Sequence, residues 1–333
     1  MINKCTHILV FIFLLARYSA QEPQFTQFYA NPMFLNPAFT GLTYEHRFGL
    51  NYRNQWPGIN TGFTTSMASY DYNMSQAHSG IGLMAMQDQA GTSNLTTTQF
   101  GGNFAYSFKL NKFMEVRTGA LVSYVQKKVD NSKLIFNDQL ITGSPVSQAA
   151  INIQQANYAD IGLGALLNAT NFWLGAAVKH VNQPNTSFSG SVTPLPMYYN
   201  IHGGYRFNLQ AQKVGRTNLE QYISASFNIR NELNYAQMDI GANYFKSVVN
   251  VGLWYRGLPF KAYKPGYPTR ESIAILVGFD LKKQNLRVGY SYDITVSRLG
   301  INNTQGAHEI VMVYQPAQKR KKTRRVLVSC PKF

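Results

Sequence analysis

Beyond an N-terminal apolar stretch the chain carries His46, His78, His180, His202 and His308, the residue type with the widest catalytic and metal-binding repertoire. Each of those roles needs partners at a set spacing, and the spacing is missing. No two of these histidines stand four apart as on a metal-binding helix. There is also no H-E-x-x-H, no G-x-S-x-G and no phosphate-cradling P-loop. Gly162 and Gly164 open a G-x-G, but Leu167 holds the place of the third glycine of a dinucleotide fold. The cysteines are Cys5 and Cys330, and removal of a leader containing Cys5 leaves neither a disulfide nor a cysteine metal site. These residues argue against an enzyme, and no cofactor or metal is expected. The histidines read as strand or rim residues with ordinary hydrogen bonds.

Charge offers a second kind of chemistry. Lys and Arg number 31 against 15 Asp and Glu, a formal net charge of +16. Lys319, Arg320, Lys321, Lys322, Arg324 and Arg325, with Lys332, fall in an acid-free tail at 316–333. Such a run attracts acidic partners or membrane phosphates, or else stays solvated and disordered. Within it, Val326, Leu327 and Val328 form a short strand-forming segment able to add to a partner's sheet edge. Nucleic acid is not expected among the partners.

The elements that must position these groups are strands. Over 96–110, Phe100, Phe104, Tyr106, Phe108 and Leu110 share one phase, and Gln99, Gly101, Asn103, Ala105 and Ser107 share the other. Successive strand side chains point to opposite faces, so the segment has one aromatic face and one small, polar face. Globular strands stop at about five or six residues, whereas a tilted strand crossing a bilayer needs about nine to eleven. Leu286, Val288, Tyr290, Tyr292 and Ile294 against Arg287, Gly289, Ser291 and Asp293 repeat the pattern, as do Ile223, Ala225, Phe227 and Ile229 against Ser224, Ser226 and Asn228. The chain is 45% hydrophobic and 14% charged, where soluble domains carry about a quarter charged residues. After the leader no stretch approaches the roughly 18 apolar residues of a membrane helix.

An all-β fold is therefore expected: a single transmembrane antiparallel barrel of about fourteen strands, monomeric and surrounded by outer-membrane lipid. The strands are placed at 45–54, 61–72, 80–88, 95–110, 113–126, 157–168, 171–181, 198–209, 220–230, 235–246, 248–257, 271–281, 285–296 and 306–315. Residues 1–20 read as a secretory signal, with Lys4, an apolar run at 8–16, and Ala20 before Gln21. The remaining units are a Pro- and aromatic-rich segment at 21–41, a barrel at 42–315 and a basic periplasmic tail at 316–333. Connections alternate short and long, which places both termini in the periplasm. The connections at 210–219 and 231–234 break that alternation. A soluble sandwich also uses alternating strands, but it does not need so many long ones or so many aromatics on one face.

Arg53, Trp56 and Asp71 are expected near the outer ends of the first two strands. There they either pin the first outer loop or touch cargo, or else Trp56 joins an interfacial aromatic girdle while Arg53 and Asp71 pair in the lumen. Tyr70, Tyr72, Tyr198, Tyr199, Trp254 and Tyr255 are expected in the girdle as well.

Residues 21–41 read QEPQFTQFYANPMFLNPAFTG. Two Asn-Pro steps disfavour helix there. Phe25, Phe28, Tyr29, Phe34 and Phe39 would be costly to leave in water, so the segment packs inside the barrel or at its rim. Gln21, Pro23, Phe25, Gln27, Phe28, Asn31, Pro32, Asn36, Pro37, Ala38, Phe39 and Gly41 resemble the N-terminal signature of the PorP/SprF family of the type IX secretion system. The resemblance continues through Arg53, Trp56, Asp71, Lys179, His180 and Pro184 to His308, Glu309 and Ile310. It implies an outer-membrane component of secretion or gliding that acts as anchor and adaptor. The implied partners are a PorE-like lipoprotein and ring proteins of the periplasmic machinery, and the C-terminal domain of a secreted adhesin. The alternative is a diffusion or uptake barrel for small, hydrophobic solutes.

Overall fold

The computed structural model describes residues 22–316, apart from 43–44, 60–61, 92, 131–133, 136, 145–146, 148–154, 189–190, 210–211, 215–216, 220, 233–234 and 259–269. Its frame is a closed antiparallel barrel of fourteen strands. In chain order these are β1 His46–Gln55, β2 Phe63–Met74, β3 Ser79–Ala90, β4 Leu95–Lys109, β5 Met114–Lys128, β6 Ala156–Ala169, β7 Phe172–Lys179 and β8 Tyr198–Asn208. After a separate hairpin of β9 Gln212–Val214 and β10 Thr217–Leu219 come β11 Gln221–Glu232, β12 Tyr235–Lys246, β13 Val249–Gly257, β14 Arg270–Leu281, β15 Leu286–Thr295 and β16 Ala307–Tyr314. β1 and β16 close the ring, with Gln55 opposite Ala307 and Phe48 opposite Tyr314. The β9–β10 hairpin accounts for the irregular 210–219 connection without adding a barrel strand.

The period-two pattern decides which way each strand faces. On β4, Phe100, Phe104 and Phe108 point out and are half exposed, while Gln99, Asn103 and Ser107 point in and are buried. Leu83, Val122 and Leu253 extend the outward apolar surface around the ring. Exposed to water, such rows would each forfeit about 25 cal/mol per Å² of apolar area; hydrocarbon removes that cost. No helix among the described residues is long and apolar enough to cross a membrane.

At one end of the barrel the turns at 110–113, 170–171, 247–248 and 282–285 are short, and there β1 begins and β16 ends. At the other end lie the long connections at 129–155, 180–197, 258–269 and 296–306, together with short ones at 91–94 and 233–234.

Residues 22–42 form a luminal strap running the length of the barrel. Glu22 lies beside Lys179 at the long-loop end, and Gly41 lies beside Asp71 near the short-turn end. The described chain therefore enters the barrel at the end opposite Tyr314. The strap thus crosses the lumen before β1 starts; the chain's two ends themselves lie outside the described residues.

The strap folds as a 3-10 turn at Phe28–Ala30, a short helix at Pro32–Leu35 and a second 3-10 turn at Pro37–Phe39. Pro32 and Pro37 stand at first helical positions, where a missing N–H costs nothing. The Asn36 side chain accepts from Ala38 N at 2.9 Å and caps the second turn. Gly119 on β5 and Gly164 on β6 make room: a Cβ on the first would collide with the backbone of Ala38, and one on the second with the Asn36 amide.

Candidate functional site

The strap and the inward wall form the one large buried assembly among the described residues. Its apolar half is aromatic. Phe28 meets the Trp254 ring edge-on at 5.2 Å, Tyr29 stacks on it at 5.9 Å, and Phe39 meets Trp173 edge-on at 5.8 Å. Phe25 packs edge-on to Phe34, whose face carries the Lys179 ammonium 3.4 Å from its centroid.

Its polar half is built from three stations. At the long-loop end, Glu22 bonds Lys179 Nζ at 3.2 Å and His180 Nε2 at 3.1 Å, and His180 Nδ1 lies 2.9 Å from Asp160. Burial opposes a charge on His180, but the Glu22 and Asp160 carboxylates outweigh it and raise its pKa to about 9. Burial likewise opposes ionisation of Glu22, and Lys179 and His180 override it, holding the carboxyl well below its usual range.

Next comes a charged network around Thr26. Arg53 reaches Asp293 at 2.8 Å, Glu309 at 3.2 Å and Thr26 Oγ1 at 2.6 Å. Arg256 joins Asp293 at 3.2 Å to Asp239 at 2.8 Å, and Asp239 takes Arg230 at 2.7 Å. Glu309 accepts the backbone N–H groups of Thr26 and Gln27 at 2.6 and 3.1 Å. Isolated charges in such a site would be prohibitive, so each is matched by an opposite charge or by the strap's backbone.

The third station grips the rest of the strap. Asn36 donates to the carbonyls of Ala165 and Ala176 at 3.0 and 3.1 Å and lies 3.0 Å from His202 Nε2. Arg117 donates to the carbonyls of Ala38 and Thr40 at 2.9 and 2.6 Å. Arg47 donates to the carbonyl of Ala30 and lies 3.6 Å from Asp71, which accepts from Gly41 N at 3.0 Å.

Most of the signature residues singled out in the sequence meet in this assembly. Phe25, Gln27, Asn31, Asn36, Pro37 and Gly41, with Pro23 and Pro32, lie on the strap, and Arg53, Asp71, Lys179 and His180 touch it. Trp56 and Pro184 do not. Trp56 lies just past β1 with φ 59° and packs edge-on to Phe63, and the Pro184 carbonyl accepts from Leu195 N within the 180–197 loop.

Arg53 and Asp71 are both in the lumen but do not pair with each other. β2 runs toward the short turns, so Asp71 faces Arg47 near that end, while Arg53 lies near the long loops. Trp254 and Tyr198 are likewise not girdle residues. Both are buried inward, Trp254 against the strap and Tyr198 with Lys179 5.3 Å from its ring. Tyr199, one position on, stays on the outward face.

Arg47, Arg117, Asp160, Trp173, His202, Arg256, Asp293 and Glu309 were not foreseen as contacts. Their common signal is a charged or bulky residue standing in the inward phase of its strand. The basic residues Lys319 to Lys322, Arg324 and Arg325, and the leader at 1–20, lie outside the described residues. Among the described residues no cluster of three or more His, Cys, Asp or Glu could hold a metal ion.

A closed antiparallel barrel with apolar outward rows and a lumen lined by polar and charged groups is an outer-membrane β-barrel. Residues 18–314 match the family described as Type IX secretion system membrane protein PorP/SprF, and the chain belongs to that family. A search of curated proteins gives no match. Among solved structures the chain is similar to the Acinetobacter baumannii outer membrane protein Omp33, with 10% identity over 83% of this chain and 100% of that one and a TM-score of 0.43. It is also similar to the Pseudomonas putida toluene transporter TodX, with 10% identity over 89% and 94% and a TM-score of 0.46.

Proposed function

We propose that this protein is a non-enzymatic outer-membrane anchor and adaptor of the type IX machinery, in which loops at one end hold a secreted or surface-retained adhesin and the opposite end grips periplasmic proteins. The observation that carries this reading is the strap. It occupies the lumen from end to end and is fixed by the Glu22 ion pairs and by hydrogen bonds to buried charged side chains of the wall, which favours binding at the two mouths over passage of solutes between them.

The long-loop end offers apolar side chains to a protein partner: Ile135, Leu140, Ile141 and Val192 are each more than 70% exposed. In this reading that end faces the exterior. The short turns and the basic tail then face the PorE-like lipoprotein and ring proteins.

The test is a paired measurement on the intact chain. In planar bilayers the purified barrel is expected to give no steady conductance, and from membranes it is expected to co-purify with periplasmic machinery or a secreted adhesin. Steady pore current without either partner would favour the solute channel and overturn the adaptor.

A further inference from the structure

The strap matches many polar groups of the lumen, but a cavity at the short-turn mouth keeps some that it does not reach. The cavity lies where β11, β13 and β15 begin and β12 and β14 end, and its lining includes Tyr222, Phe245, Asn250, Asp280, Lys282 and Arg287. Asn250 is 4% exposed, and neither atom of its side-chain amide has a hydrogen-bond partner among the described residues. Asp280 lies 3.4 Å from Arg287 Nε, which has no hydrogen-bond partner among the described residues, and Arg287 lines the cavity. Tyr222 and Phe245 stack at 4.4 Å and 18° and form an aromatic wall beside them. Lys282 is exposed on the adjoining turn, and Lys246 and Lys283 are exposed beside it.

Each group selects a piece of ligand. A primary amide presenting a donor and an acceptor side by side complements a peptide group. A guanidinium with a neighbouring ammonium takes a carboxylate, and a stacked aromatic pair takes an apolar side chain. Val248, Val249 and Phe279 bring the outward face into the lining, so a lipid phosphate is the competing occupant; the polar groups that favour a peptide, Asn250 and Arg287, stand in the inward phase of their strands.

We propose that the short-turn mouth binds an extended acidic peptide segment of another protein, with a backbone amide paired to Asn250 and a carboxylate held by Arg287 and Lys282. The nature of the occupant, a periplasmic protein, rests on the adaptor reading above; the site itself does not.

The full-length chain carrying Cys330→Ser, in nanodiscs of neutral lipid, is titrated with a fluorescein-labelled acidic hexapeptide containing phenylalanine. Saturable binding is expected, weakened about tenfold by Asn250→Ala and about tenfold by Arg287→Gln, and unchanged by Lys112→Gln on the far rim. Retained heat-modifiable migration establishes that each variant is folded. Absence of saturable binding, equal affinity in the variants, or displacement of the peptide by anionic phosphatidylglycerol in the nanodisc overturns the site. Separately, Lys283→Cys in the same background is treated with a membrane-impermeant maleimide. Labelling only after outer-membrane permeabilisation supports a periplasmic occupant. Labelling in intact cells overturns that occupant and the orientation, even where the peptide still binds.

Discussion

The side-chain nitrogen of Asn36 lies 3.0 Å from His202 Nε2 and donates to two strand carbonyls, Ala165 at 3.0 Å and Ala176 at 3.1 Å. One amide thus bolts the middle of the strap to β6, β7 and β8, while its oxygen caps the turn at Pro37–Phe39. Replacement by Asp keeps the cap but turns an oxygen toward two carbonyls. Asn36→Asp is therefore expected to loosen the strap more than Asn36→Ala, which is expected to cost about 1–3 kcal/mol. Hydrogen exchange over 36–40 checks the order; the reverse order would show that the cap outweighs the wall contacts.

Arg53 is a sharper case because its charge is fully buried between Asp293 and Glu309. Arg53→Met leaves Glu309 without a cation and Asp293 with Arg256 alone, and is expected to destabilise the native barrel by about 3–5 kcal/mol. Adding Glu309→Gln to Arg53→Met removes the unmatched charge, so the double variant is expected to melt above the single one. Thermal unfolding in detergent reads both, and equal melting of single and double variants would refute the network.

Gly119 and Gly164 are chosen by the strap and not by the strands. Gly119→Val puts bulk into the backbone of Ala38, so the strap is expected to leave its groove while β5, whose partners β4 and β6 remain, still pairs. Protease cleavage within 22–42 should rise in this variant, whereas Gly102→Val, at a position with no atom within 4 Å of an added Cβ, should behave as wild type. Equal protection in both would mean that the strap does not depend on that clearance.

The barrel was legible because its determinant is local: a period of two fixes each strand's inward face whatever its neighbours are. Thus 95–110 was expected and Leu95–Lys109 is found. The strap's partners were not legible, because pairing across a lumen depends on register around the whole ring. Arg53 and Asp71 are 18 residues apart in sequence, yet the antiparallel pairing of β1 with β2 sets Arg47, not Arg53, opposite Asp71. Trp254 looked interfacial by residue type. The alternation of Val251 and Leu253 with Asn250 and Gly252 places it inward, and that phase was the better guide.

The Glu22, Lys179, His180 and Asp160 station should make the outer end of the strap sensitive to pH. His180 has its pKa raised from 6.5 to about 9 in the docked state. Its contribution is therefore fully present at acid pH and is lost as pH rises through about 9. Glu22 is lowered from 4.5, so its contribution is complete above that value and is lost as pH falls toward the docked one. Docking of 22–27 should be firmest between these limits, around pH 5 to 6, and should weaken steadily toward pH 10. Hydrogen exchange of 23–27 in the detergent-solubilised barrel measures it. His180→Gln should remove most of the alkaline loss and leave the acid limb, which Glu22→Gln should remove instead. A protection profile flat from pH 5 to pH 10 in the native chain would mean that the strap's outer end is held by Phe25, Phe34 and the Thr26 network alone.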